Sequence, residues 1–319
     1  MKKLILAAAI AATTAGAANA ATIYEGNGLT YKLKGDFQIQ LRKKAGDNEK
    51  TDIEFDDMEL KNSVIYDLGD DMKAFGQLDF SYNDAANEND KTDASENESS
   101  KLEEAYIGMQ FGNVAVSVGQ QDFAVDDFGV HNAIESNGDE DQFDATATSG
   151  DDVIRMDVSG ENYTLIVSTE IEAEGGKSAN GEGFDVFAAT SVGGVDLAAA
   201  FQNYDEDTTV AGDVDVWGVS AGFDAGFAQF GVDFSTADAG AVETDQYNVV
   251  AIIPVAETTK VSLGMTNIDP SNATDVTEWY ANVSYKFPSQ KNVKLFAEIS
   301  DTDETDVDMG ALAGMQIKF

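Results

Sequence analysis

The 319-residue chain contains no cysteine, a single histidine (His131) and only two arginines, Arg42 and Arg155. Without cysteine there is neither a disulfide framework nor a thiol centre. A single histidine excludes most metal sites and acid–base centres that are built on imidazole. The sequence therefore predicts no metal site, no cofactor and no enzyme active site.

Positive charge is also scarce. Lysine and arginine together number 19 against 59 aspartates and glutamates, which gives a formal net charge of −40. Such a surface repels nucleic acid, so no nucleic-acid partner is expected, and it attracts cations. Strongly acidic chains are often disordered, but here 43% of the residues are hydrophobic and they recur with a regular period.

Long apolar runs are absent beyond the N-terminus. Residues 1–20 combine Lys2 and Lys3, an apolar stretch from Leu4 to Ala12, and the small-residue ending Ala18-Asn19-Ala20. This pattern is typical of a secretory signal peptide, and its apolar part is shorter than the roughly 20 residues that span a bilayer. We assign 1–20 to the signal peptide and 21–319 to one mature domain. The mature chain then either is secreted or crosses a membrane as strands.

What the sequence does contain is alternation with a period of two. Between Tyr31 and Arg42, apolar side chains such as Phe37, Ile39 and Leu41 alternate with polar ones such as Gln38 and Gln40. Successive side chains of a strand point to opposite faces, so each such segment has one apolar and one polar face. Only closed barrels satisfy all backbone hydrogen bonds of strands inside lipid.

Short turns alternate with longer acidic connectors along the chain, as they do in outer-membrane barrels. We count sixteen strands, an even number that places both mature ends at the short-turn rim. The fold class is therefore all-β: a 16-stranded antiparallel transmembrane β-barrel, with its apolar face toward lipid and no interior apolar core. The three prolines are assigned to connectors: Pro254, Pro270 and Pro288. A secreted β-sandwich or β-solenoid is the alternative.

The last strand carries apolar residues at every second position and stops on an aromatic, with Met315, Ile317 and Phe319 on one face. This resembles the terminal-strand signature that the barrel assembly machinery of Gram-negative outer membranes recognises. The resemblance implies export to the outer membrane, with the assembly machinery, lipid and lipopolysaccharide as partners.

The segment from Glu104 to Gln120 resembles the fourth strand, turn and fifth strand of the general Gram-negative porins. The long connector that follows, residues 122–150, contains Asp126-Asp127-Phe128-Gly129, which is similar to the acidic segment at that family's pore constriction. The whole chain looks most like the acidic porins of marine or halophilic bacteria. The resemblance implies short periplasmic turns, longer extracellular loops and an inward-folded third loop, here called loop 3.

The same resemblance implies a general diffusion porin that passes ions and small hydrophilic solutes, and a homotrimer in which connector 84–99 contacts a neighbouring subunit. A free surface loop at 84–99 is an equal alternative. Carboxylates on loop 3 are expected to form the constriction, and the alternation supplies candidates for the pore wall. With acids so numerous, we expect a preference for cations. The loop candidates are Asp122, Asp126, Asp127 and Glu135, and the wall candidates are Lys32, Lys34, Arg42, Lys61, Arg155 and Asp157.

Three other functions are weighed against this one. An outer-membrane hydrolase would need a nucleophile with a base, but His131 stands alone and no G-x-S-x-G motif accompanies it. A substrate-specific channel remains the alternative within the channels, although an acidic chain suits neither phosphate nor a sugar track. A secreted all-β adhesin or surface protein is the third.

Overall fold

Alternating side chains build seventeen strand segments in the computed structural model, which describes residues 20–86, 100–135, 137–171, 181–205 and 212–319. Each strand pairs antiparallel with its neighbours in sequence, and β2 also pairs with β17. The strands are β1 (Ala21–Gly26), β2 (Leu29–Lys43), β3 (Asp52–Gly69), β4 (Met72–Ser81), β5 (Lys101–Phe111), β6 (Val114–Asp122), β7 (Ser149–Ser159), β8 (Tyr163–Glu170), β9 (Glu182–Val192), β10 (Val195–Asp205), β11 (Val214–Asp224), β12 (Gln229–Asp238), β13 (Glu243–Ala256), β14 (Thr259–Pro270), β15 (Val276–Phe287), β16 (Gln290–Thr302) and β17 (Gly310–Lys318).

Sixteen strands close the barrel because β1 and β17 share one edge of β2. Strand β17 pairs with Asp36–Lys43, and β1 pairs with Leu29–Leu33. Between them, Phe319 exchanges two backbone hydrogen bonds with Gly35, of 2.8 and 3.0 Å. The predicted 16-stranded antiparallel barrel is confirmed. Its first and last segments, β1 and β17, together occupy the position of one strand.

Strand β1 itself was not anticipated from the sequence. It precedes a two-residue turn, Asn27-Gly28, in which both residues have positive φ, of 52° and 76°. This Asn-Gly pair is the strongest short-range signal of a hairpin, and it was available in the sequence.

The two faces of the strands differ as the alternation predicts. On β2, Asp36, Gln38 and Gln40 are almost fully buried toward the lumen, whereas Phe37 and Leu41 on the opposite face are exposed. An outward apolar face and an inward polar face suit a sheet that meets hydrocarbon outside and water inside. Among the residues described, no helix has the length and hydropathy needed to cross a membrane.

Two of the three proline assignments are wrong. Pro254 lies within β13, at an irregularity where the register shifts between Pro254 and Ala256, and Pro270 is the last residue of β14. A missing N–H is tolerated at such an irregularity, so the strand continues through it. Connector 84–99 begins in a short helix, α1 (Asn83–Ala86), and its residues 87–99 lie outside the described part of the chain.

Candidate functional site

Loop 3 occupies residues 123–148, between β6 and β7, and its ends are joined by a hydrogen bond from the Phe123 amide to the Thr148 carbonyl. It begins with a 3₁₀-helix, Ala124–Asp127. From there its described residues contact lumen-facing side chains of β9, β12, β15, β16 and β2, and then return to β13 and β10. The loop therefore lies inside the barrel.

An apolar cluster holds the start and the return of loop 3 against the wall. Phe123, Val125 and Phe143 are at most 1% exposed and pack in one buried cluster with wall residues that include Ile166 and Val216. The prediction that the barrel has no interior apolar core is wrong, because part of the lumen is filled by these side chains. Strands that carry apolar residues on both faces, such as Leu165-Ile166-Val167 on β8, are the signal in the sequence that could have shown it.

A glycine on the wall makes room for the aromatic side chains of this cluster. The rings of Phe128 and Phe143 meet edge to face with centroids 4.9 Å apart. Both rings lie over Gly218 of β11, where an added Cβ would come within 2.6 Å of the Phe128 ring. A larger residue at position 218 would displace these rings, and the loop with them, from the wall.

Three buried carboxylates on the wall bind the loop backbone. Asp185 accepts the Val125 amide at 3.2 Å, and Asp233 accepts the Val130 amide at 2.8 Å. Glu298 accepts two amides, from Ile134 at 2.7 Å and Glu135 at 3.0 Å. Loop amides that make no ladder hydrogen bond need acceptors, and charged acceptors form the stronger bonds. These anchors were missed from the sequence because each lies at least 60 residues from its partner.

The predicted loop carboxylates lie at different places along loop 3. Asp122 is the last residue of β6, Asp126 and Asp127 are in the 3₁₀-helix, and Glu135 lies at the distant bend. Glu135 forms a 2.7 Å ion pair with Arg42 of β2. The loop thus extends from β6 across the lumen to β2.

Arg155 connects the beginning of loop 3 to β7. Its Nη1 donates to the backbone carbonyls of Asp122 and Phe123, at 3.0 and 2.9 Å, while its Nη2 pairs with Asp127 at 3.1 Å and with Asp157 at 3.0 Å. The guanidinium fork suits several acceptors at once. Arg155 and Asp157, both predicted as wall residues, act here as one clamp on the loop.

The other basic wall candidates lie on β2 and β3. Lys61 pairs with Asp79 and Glu104, at 2.9 Å each, and Arg42 contacts Glu54 at 3.5 Å besides Glu135. Lys32 and Lys34 have the lumenal parity of Asp36, and Lys34 stands opposite Lys61 in the register. The charge of Arg42, Lys61 and Arg155 is therefore balanced by carboxylates in direct contact.

Burial and crowding change the titration of the loop carboxyls. Enclosure by the barrel raises the pKa of Asp126, and repulsion from Asp122 and Asp127 raises this pKa further. Burial raises the pKa of Asp141 to about 7, although this carboxyl accepts the amides of Phe143 and Asp144. The neighbouring imidazole of His131, whose Nδ1 lies 3.8 Å from Glu140 Oε1, lowers the pKa of Glu140. The negative charge that the loop presents therefore depends on pH.

The predicted assembly residues are on the outer face of β17. Met315 and Ile317 are exposed, and the Phe319 ring lies edge to face with Phe37, with centroids 5.6 Å apart. The ring also lies directly over Gly35, where a Cβ would approach it to 2.2 Å. Gly35 thereby allows the terminal aromatic to seal the junction of β1, β2 and β17.

Known proteins share this closed antiparallel barrel. A family model described as Gram-negative porin matches residues 7–307. The chain belongs to the Gram-negative porin family. The predicted family and the outer-membrane location are thereby confirmed.

Two relatives show how far the sequence similarity of this porin extends. Porin-like protein H of Photobacterium profundum is 26% identical over 348 residues, which cover 100% of both chains. A major outer membrane protein of Pasteurella multocida is 35% identical over 86 residues, or 26% of this chain and 24% of the relative.

Solved structures share the fold of this porin at low sequence identity. A loop-L8 deletion mutant of OmpT, an outer membrane protein of Vibrio cholerae, has a TM-score of 0.77 at 16% identity and covers 92% of this chain and 100% of its own. Salmonella typhi OmpF in complex with daunomycin has a TM-score of 0.75 at 14% identity, with 94% and 100% coverage. The anion-selective porin from Comamonas acidovorans has a TM-score of 0.71 at 12% identity, with 91% and 100% coverage.

Proposed function

We propose that this porin is a general diffusion channel in which loop 3 forms the constriction and cations pass in preference to anions. The observation that carries the proposal is the 2.7 Å ion pair between Glu135 and Arg42, with which a loop that starts beside β7 reaches β2. A loop held across the lumen in this way narrows the passage through the barrel. Sixteen strands provide a lumen wide enough for such a passage.

The preference for cations rests on the lumenal charges. Arg42, Lys61 and Arg155 each contact two carboxylates, so their positive charge is offset where it stands. The excess of acidic over basic residues leaves the passage with negative potential, and rings of Asp and Glu raise cation occupancy. The fold does not set this sign, since a solved structure of similar fold is an anion-selective porin.

Reversal potentials of the purified protein in planar bilayers under a KCl gradient test the proposal. We expect the sign that corresponds to K⁺ preference, in channels that also pass small neutral sugars in liposome swelling assays. Anion preference would refute the selectivity, and an absence of conductance would refute the channel itself.

We propose no enzymatic activity for this chain. His131 is 6% exposed at its side chain and stacks edge to face on Tyr280, whose hydroxyl accepts the Asn132 amide. This arrangement gives the imidazole a packing role in loop 3. Hydrolysis of peptide or ester substrates that disappears in His131→Ala would contradict the proposal.

We also propose that the mature chain begins at Ala21, where β1 starts, and that three copies associate. One solved structure of similar fold, OmpT of Vibrio cholerae, is described as a trimer form. Intact-mass analysis of the protein extracted from membranes tests the first proposal. Native mass spectrometry tests the second, and a monomer under mild detergent would contradict it.

A further inference from the structure

Three carboxylates from neighbouring strands converge on the lumenal wall, away from loop 3's anchors. Glu59 of β3, Asp79 of β4 and Glu103 of β5 each place one carboxylate oxygen within 4.8 Å of the others. Asp79 faces Glu104 in the register, and an irregularity between Asp79 and Phe80 leaves Glu103 as the extra residue of β5. Such a bulge redirects a side chain, and here it brings a third carboxylate to the group.

Asp79 supplies an observation independent of this grouping. The residue is 3% exposed, and its Oδ2 accepts Lys61 Nζ at 2.9 Å. Its Oδ1 is buried and has no hydrogen-bond partner among the described residues. A buried carboxylate oxygen without a donor is costly, which indicates that a positively charged ligand belongs there.

The nearby donors, Lys61 and Gln77, already form other hydrogen bonds. Lys61 also donates to Glu104 Oε2 at 2.9 Å, and the same oxygen accepts Gln77 Nε2 at 2.5 Å. Four carboxylates (Glu59, Asp79, Glu103 and Glu104) and one ammonium (Lys61) give the group a formal charge of −4 + 1 = −3. A divalent cation would reduce this charge to −1 while using the oxygens that Lys61 leaves open.

We propose that Glu59, Asp79 and Glu103 bind one Ca²⁺ on the pore wall. Ca²⁺ binds carboxylate oxygens at about 2.3–2.6 Å, so oxygens on opposite sides of the ion stand roughly 4.6–5.2 Å apart. Three carboxylate oxygens within 4.8 Å of one another can reach one such ion, and water completes its coordination. Mg²⁺ usually keeps several waters and is bound through one or two carboxylates, so a group of three carboxylates suits Ca²⁺ better.

The bound ion would change the pore wall beside Lys61. It would neutralise part of the negative charge on the wall of β3–β5, so Ca²⁺ would weaken the preference for monovalent cations. Binding itself requires no permeation, and its measurement is therefore independent of the proposed channel function.

Isothermal titration of Ca²⁺ into the purified, detergent-folded protein tests the site. The variant is Glu59→Gln with Glu103→Gln, and the matched control is Glu278→Gln, a half-buried lumenal carboxylate on β15. Each variant is used once its heat-modifiable migration shows a folded barrel. We expect one saturable site per chain in the wild type and the control, and affinity weaker by at least about tenfold in the double variant. Equal binding by all three proteins, or no saturable binding by the wild type, would overturn the proposal.

A competition on the wild type alone covers the case in which the double variant does not fold. Titration of Ca²⁺ in the presence of equimolar Mg²⁺ should leave the calcium isotherm nearly unchanged, because three carboxylate ligands suit Ca²⁺ better than Mg²⁺. Displacement of Ca²⁺ by Mg²⁺ at equal concentration would refute the assignment to calcium.

Discussion

At the scale of single residues, Arg155 shows what alternation can and cannot predict. Its position between Ile154 and Met156 correctly indicates a side chain that faces the lumen. Nothing in that pattern indicates that the guanidinium binds two loop carbonyls together with Asp127. Arg155, which was predicted as a residue of the pore wall, contacts loop 3 directly.

Replacement of Arg155 should therefore loosen loop 3. We expect Arg155→Ala to lower the free energy of unfolding by about 3 kcal/mol, because Asp127 and Asp157 lose their shared partner. Single-channel conductance should become larger and noisier. Arg155→Lys keeps the positive charge but not the guanidinium fork, so its stability and conductance should lie between those of the wild type and Arg155→Ala. Unchanged conductance in Arg155→Ala would show that the clamp does not hold the loop.

Asp126 supplies a prediction about pH. Since its pKa lies above the ordinary carboxyl value of about 4, it loses its proton later than exposed acids as the pH rises. Deprotonation of Asp126, whose pKa is raised to about 8, adds negative charge to loop 3. Cation preference should therefore increase as the pH rises through this value. Reversal potentials measured across a pH series should show this increase in the wild type and a smaller one in Asp126→Asn, in which Asp141 still titrates. An identical pH profile in both proteins would contradict the assignment.

At the scale of elements, the strands were predictable and loop 3 was not. Alternation, turn residues and acidic connectors each repeat locally, so sixteen strands could be counted from the sequence. Strand β1 was missed although the Asn27-Gly28 turn marks it. The course of loop 3 depends on partners far away in sequence, such as Asp233 for Val130 and Glu298 for Ile134.

The apolar cluster gives a prediction for the loop as an element. Phe143 is fully buried, and Phe143→Ala should weaken the docking of loop 3 by about 3–5 kcal/mol through lost burial and a new cavity. We expect larger, fluctuating single-channel conductance and faster proteolysis within the loop. Phe227→Ala, in the exposed turn before β12, removes the same side chain and serves as control. Equal behaviour of the two variants would show that the cluster does not fix the loop.

At the scale of the whole molecule, a net charge of −40 acts on every ion that approaches the pore. This field is screened by salt, with a Debye length of roughly 10 Å at 0.1 M and 3 Å at 1 M. Cation preference should therefore fall steeply when reversal potentials are measured at higher salt with the same gradient ratio. A preference that is independent of salt would place its origin in short-range contacts at loop 3 instead.

The sequence by itself determined the closed barrel, because a period of two fixes which face of each strand is apolar, and only a closed sheet can turn that face to lipid. Tertiary structure decided what fills the lumen. The packing of Phe143 against the wall, the pairing of Glu135 with Arg42 and the meeting of Glu59, Asp79 and Glu103 all join residues from different elements. Strand register, bulges and the path of one irregular loop determine which side chains meet. None of these leaves a local pattern in the sequence.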